Sequence, residues 1–155
     1  MTRGRHDPAV GFVELVREFC EFIETAAQVA ARGRILRARI YVAELVHAAC
    51  QLPSGDADGP DVDQEISTPT NSPGFGDLDV YHEVFDPYVD ESPVCGSLSD
   101  DLLDIYRDLK RGLVAYDAGQ LGTAVWEWRF HFDHHWGDHA VDALRALRRA
   151  CVRSS

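Results

Sequence analysis

Trp126-Glu127-Trp128-Arg129-Phe130-His131-Phe132-Asp133-His134-His135-Trp136-Gly137-Asp138-His139 carries all three tryptophans of the 155-residue chain and four of its seven histidines. Its large apolar side chains fall at helical spacing. Leu121, Val125, Trp128, Phe132, Trp136, Ala140, Ala143 and Leu147 make one face of a helix that starts near Gln120 and continues to Val152. Thirty-odd residues is long for a globular helix, and Gly137 is the expected place for a kink or break. Burying so many polar groups beside rings costs free energy unless each finds a partner.

The rest of the chain repeats the helical pattern. Pro8 after Asp7 opens a first helix reaching about Val29, with Phe12, Leu15, Val16, Phe19, Phe22, Ile23 and Ala26 on its core face. Gly33 is expected to separate it from a second helix, Arg34 to Gln51, which Leu52-Pro53-Ser54-Gly55 ends. Ser97-Leu98-Ser99-Asp100 resembles a capping box and opens a third helix to about Asp117, with Gly119 as the stop. Between the second and third helices, residues 53–78 read as an acidic, flexible insertion loop with almost nothing to bury. Tyr81, Val84, Phe85 and Tyr88 are expected to bring the chain back onto the helices as a short turn of helix or an extended piece. The expected fold is therefore all-α, one domain over 1–155, a bundle of about four main helices.

Charge and composition narrow the function classes. Eleven of the 26 acidic residues lie between Pro53 and Glu91 with no Lys or Arg among them, and the remaining 15 acids balance 15 bases. A net charge of −11 argues against nucleic acid as the main partner, and no apolar run is long enough for a membrane. The acidic 53–91 segment is the expected face for a protein partner. The polar start of the chain, without an apolar signal core, predicts a cytoplasmic protein. The four cysteines show no Cys-x-x-Cys spacing, so thiols packed in their reduced form are expected. Cys95, just ahead of a helix N-terminus, is a lesser nucleophile candidate.

Two readings of the opening stretch follow. In the first, Arg129, Asp133, His134, His135, Asp138 and His139 form a buried polar network beside Trp126, Trp128 and Trp136. Arg129 lies in the middle of the apolar face there, paired with Asp133 at i, i+4. This gives a structural or interaction protein. In the second, the chain binds a divalent metal. Glu127, His131, His135 and His139 step by four along one flank, but His131 and His139 are about 12 Å apart by helical rise. One ion therefore takes His135 with a single histidine neighbour, and His139 with Asp101, Asp104 or Asp138 makes the candidate ligand set, able to activate water for hydrolysis. Asp100, Asp104 and Asp108 step by four roughly opposite the core stripe of the third helix, which predicts a solvent face. Only Asp101 falls at the core's flank. No motif fixes an enzymatic activity.

Val84-Phe85-Asp86-Pro87-Tyr88, Pro93-Val94-Cys95-Gly96-Ser97-Leu98-Ser99-Asp100-Asp101-Leu102 running into Asp104-Ile105-Tyr106-Arg107-Asp108-Leu109-Lys110, Trp126-Glu127-Trp128-Arg129-Phe130 and His134-His135-Trp136-Gly137-Asp138-His139-Ala140 resemble the bacterial proteins grouped as domain of unknown function 5063. The resemblance spans about Phe12 to Leu147. It implies a small bacterial cytoplasmic protein and carries no activity, cofactor or catalytic residue with it.

Overall fold

The computed structural model describes residues 8–154. Four helical rods pack around one apolar core. They are α1 (Pro8–Thr25), α2 (Ala31–Ala49), α3 (Leu98–Asp117) and a last rod made of α4 (Leu121–His131), a π-helical turn (Phe132–Trp136) and α5 (Gly137–Arg153). The all-α bundle is as expected. The Asp7 cap lies outside the described residues.

Local chemistry sets most boundaries. Ser97 caps α3, its Oγ accepting from the Asp100 backbone N–H at 3.2 Å. Asp79 adds to this cap from outside the helix. Its Oδ1 accepts the Ser99 N–H at 3.0 Å and its Oδ2 accepts the Ser97 hydroxyl at 2.8 Å. Gly119, at φ +81°, ends the turn after α3 in a conformation that suits glycine. Gly33, by contrast, is no break: α2 begins at Ala31 and runs through it. The junction is instead held by Arg34, whose guanidinium donates to the Ala26 and Val29 carbonyls at 2.9 and 2.8 Å and also to the carbonyl of Gly74. Those carbonyls are left over where α1 and its following 3-10 turn stop, so one side chain satisfies a helix end.

Residues 51–75 form no helix or strand, yet they are anchored along their length. Asp58 accepts the N–H groups of Gly122 and Thr123 at 3.0 and 2.7 Å, capping α4 from a distance, and these bonds hold its carboxyl below the usual range. Val62 and Ile66 pack on the core and Phe75 is buried. The expectation of a loop with almost nothing to bury is corrected by these contacts.

The returning segment is an antiparallel hairpin, β1 (Val80–Glu83) with β2 (Val94–Ser97), pairing Tyr81 with Gly96 and His82 with Cys95. Tyr81 lies across Gly96, where a Cβ would come within 2.7 Å of the ring. The expectation that this whole piece packs onto the helices fails at the tip. Phe85 is 81% exposed and Tyr88 97% exposed, while Asp86 closes the turn by accepting the Tyr88 N–H.

The last rod is continuous, and Gly137 marks its irregularity. One extra residue is accommodated between Phe132 and Trp136, so Asp133, His134 and His135 are exposed in succession before Trp136 returns to the core. Beyond the turn the expected core residues Trp136, Ala140, Ala143 and Leu147 are all buried, but the extra residue changes their angular position relative to the face of α4. A Cβ at Gly137 would overlap the Phe132 carbonyl oxygen, so the π turn in this form requires glycine there.

Candidate metal centre

The three tryptophans take separate roles. Trp128 is buried between α1 and α3, edge-on to Phe12 at 5.1 Å, and its indole N–H donates to the Leu109 carbonyl at 2.9 Å. Trp136 donates to the Trp128 carbonyl at 3.0 Å. Trp126 stacks on Phe130 at 4.8 Å, and Phe130 in turn meets His134. The tryptophan N–H groups of the core are thus satisfied by backbone, without histidine.

Arg129 and Asp133 do pair, at 3.0 Å, but on the surface: their side chains are 34% and 47% exposed. Arg129 also donates to the Leu52 carbonyl, tying the rod to the end of α2. The single buried network expected of Arg129, Asp133, His134, His135, Asp138 and His139 is therefore corrected. Asp133, His134 and His135 lie exposed within the π turn, and Asp138 is exposed because it falls about 160° from Ala140 on α5.

The histidines find their partners on α3 instead. Asp101 and Asp108 are only 5% and 6% exposed. Asp108 Oδ2 lies 2.6 Å from His135 Nδ1, and Asp101 Oδ1 lies 2.8 Å from His139 Nδ1. The expectation that the Asp104/Asp108 face of α3 points to solvent is corrected for a simple reason. α3 packs against α1 on one side and against α4 and α5 on another, so its flank is covered as well as its stripe. Asp100 alone of that row is exposed. Asp101, Asp104 and Asp108, at i, i+3 and i+7, fall within about 60° of one another on the helix. That stripe was present in the sequence, hidden by grouping Asp104 and Asp108 with Asp100.

Asp104 completes the arrangement. Arg107 engages its Oδ1, and its Oδ2 stands 3.6 Å from His139 Nε2. One ligand atom each from Asp104, His135 and His139 fall within 4.8 Å of one another, and the two imidazoles meet at 4.9 Å between centroids, edge to face. Tetrahedral ligands about 2.1 Å from a zinc ion are about 3.4 Å apart, so the three side chains stand near one another in a wider arrangement than a closed metal shell and would draw together to hold an ion. Each imidazole gives Nδ1 to a buried carboxylate, which fixes the ring and leaves Nε2 for an ion. Of the other candidates, Asp101 orients His139, and Asp138 is exposed and outside this group. His131 also stands apart, its Nε2 3.0 Å from Glu127 Oε2, as helical rise requires.

The hairpin supplies groups that sequence reading missed. Tyr81 donates its hydroxyl proton to Asp101 Oδ2 at 2.6 Å and also lies 3.0 Å from Glu83 Oε2. Asp101 thus bridges Tyr81 and His139. Its hydrogen bond to His139 raises that imidazole's pKa, against the opposing effect of burial, and Glu127 does the same for His131. The Tyr81 hydroxyl is raised by burial and by its two carboxylate neighbours. Beside them, burial, the Glu83 carboxylate and the charges of Asp101 and Asp138 push Asp142 up to about 6 from 3.8.

A carboxyl whose pKa is raised on folding adds nothing unfavourable below its unfolded pKa and destabilises as it ionises. Stability tied to Asp142 is thus lost as pH rises between about 4 and about 6. Asp142→Asn is expected to melt at a higher temperature than the natural protein above about pH 7 and at the same temperature near pH 4. Melting curves at the two pH values check this. Equal melting temperatures at both would show that neither burial nor Glu83 disfavours the Asp142 carboxylate.

No curated protein matches the chain. Among solved structures, the chain is similar to protein BF1032 from Bacteroides fragilis, a structural genomics target, with TM-score 0.75 and 20% identity over 93% of this chain and 92% of that one. At that identity the likeness concerns the fold. Among the described residues no helix is long and apolar enough to cross a membrane. The family model described as "Domain of unknown function (DUF5063)" matches residues 5–152, and the chain belongs to that family.

Proposed function

We propose that this protein binds one divalent transition-metal ion through Asp104, His135 and His139 and uses it to activate water for hydrolysis. The observation carrying this reading is the paired Asp108–His135 and Asp101–His139 contacts beside the Asp104 oxygen that faces His139 Nε2. Two imidazoles and one carboxylate suit Zn²⁺, Mn²⁺ or Fe²⁺, and three protein ligands leave a position for water. His135 is half exposed, so solvent and substrate reach that position. A zinc ion there would bring its water to a pKa near about 7 and supply hydroxide at neutral pH.

Protein purified without a histidine tag is expected to hold about one ion per chain by elemental analysis. His135→Ala and Asp104→Asn are expected to lose it while keeping a helical circular-dichroism spectrum. Asp108→Asn, which frees the His135 ring without removing a ligand, is expected to weaken metal affinity about 10–100-fold. Equal metal content in natural and His135→Ala protein would sink the reading.

A second reading, a protein-interaction role for the acidic 53–91 segment, is favoured by the bare Phe85 and Tyr88 rings at the hairpin tip. It is compatible with the first. A cytoplasmic location belongs to the same proposal and is supported by a cysteine spacing without Cys-x-x-Cys or any other disulfide framework.

A further inference from the structure

A cleft of about 510 Å³ lies between β1 and the second half of α5. It is of ligand size. Arg145, Arg148, Arg149 and Arg153 line it from the helix, and no acidic residue occurs from Ala143 to the end of the sequence. Among the described residues, none of these arginines takes part in an ion pair, in a chain with 26 carboxylates. Compensation of the helix dipole accounts for one of them, because only Arg153 lies in the last turn. Three unpaired guanidinium groups upstream remain to be explained.

The other wall of the cleft leads to the candidate metal centre. Tyr81, Glu83 and Asp142 line it, Asp77 adds a third carboxylate to the cleft against its four arginines, and Tyr81 is bonded to the same Asp101 that holds His139. On α5, Asp142, Arg149 and Arg153 fall on the flank that carries His139, within about 80° of it. Helical rise puts Arg149 about 15 Å from His139. The arginines are thus too far along the helix to clamp a group reacting at the metal.

We infer that this cleft binds the phosphate of a nucleotide-sized phosphate ester, a handle that would hold such a substrate with its uncharged end toward the candidate metal centre. The substrate assignment rests on the metal reading above; the anion site does not. Guanidinium forks match phosphate oxygens two at a time, which favours phosphate over a diffuse anion. Asp142 and Glu83 repel negative charge at the metal-side wall, so the anionic end is directed to Arg149 and Arg153 and the uncharged end to the metal.

The test uses metal-free full-length protein and three probes: adenosine 5′-monophosphate, ribose 5-phosphate and adenosine. Calorimetry is expected to show binding of both phosphates and none of adenosine. The double variant Arg149→Ala/Arg153→Ala is expected to lose tenfold or more of that affinity while binding metal as the natural protein does. Both side chains are exposed, so the fold is kept; Arg149→Gln alone is the milder check and is expected to lose part of the affinity. Adenosine binding as well as its phosphate, or unchanged affinity in the double variant, overturns the inference. Arg-dependent phosphate binding in a protein that takes up no metal would overturn the substrate assignment and leave the anion site standing.

Discussion

Gly112→Ala is expected to destabilise the protein by about 3–5 kcal/mol, the sum of overpacking and a lost buried hydrogen bond. Gly112 is on α3, and the indole of Trp128 rests directly on it: an added Cβ would overlap Nε1 and its neighbouring ring atoms. The same nitrogen donates to the Leu109 carbonyl, so moving the ring away breaks that bond while its N–H remains buried. Trp128 also packs on Phe12, so little room exists for retreat. Chemical denaturation measures the loss. In a Trp128→Phe background the cost of Gly112→Ala should shrink by about half or more, since the clashing indole nitrogen is gone. An undiminished cost would place the origin of the effect elsewhere.

Gly137→Ala is expected to cost about 3 kcal/mol or more and to disturb metal binding as well. The added methyl would enter the space of the Phe132 carbonyl. That carbonyl belongs to the π turn, so the rod escapes the clash only by rewinding. Rewinding to a regular α-helix changes the angular position of α5 by about one residue, or about 100°, relative to α4. His135 lies within the turn and His139 just beyond it, so both would leave Asp108 and Asp101. A melting curve and a metal titration on one sample check this. Lowered stability with metal affinity retained would show that the turn relaxes without rotating its histidines.

The two substitutions show where local sequence stops deciding structure. The ends of α3 were legible because the cap and the stop are chemical events within a few residues, at Ser97, Asp100 and Gly119. Gly33 misled for the opposite reason. A helix interior tolerates glycine at a cost of about 1 kcal/mol, and Arg34 offsets that cost by bonding carbonyls eight and five residues earlier. The extended form at Tyr81 was one of the two expected, but its pairing was not legible, because the strands have four residues each and alternate weakly, and pairing Tyr81 with Gly96 spans a turn whose apolar residues remain in solvent. Arg129 was placed on the buried face by a wheel drawn for a straight helix, and it is Leu52 and Asp133 that hold it at the surface.

By itself the sequence determined the helical bundle, its apolar faces, the acidic segment and the limit of one histidine pair per ion. These follow from periodicity, composition and helical rise, which need no knowledge of neighbours. Tertiary structure alone decided that Asp101 and Asp108 are buried against His139 and His135, that Asp104 turns an oxygen toward them, and that Tyr81 closes the cluster. Those contacts cross from α3 and β1 to the last rod, and the register between them is set by a π turn and a glycine packed beneath an indole. Neither shows in a periodic pattern, because one depends on a single backbone carbonyl pressed against Gly137 and the other on an indole from the next helix lying over Gly112.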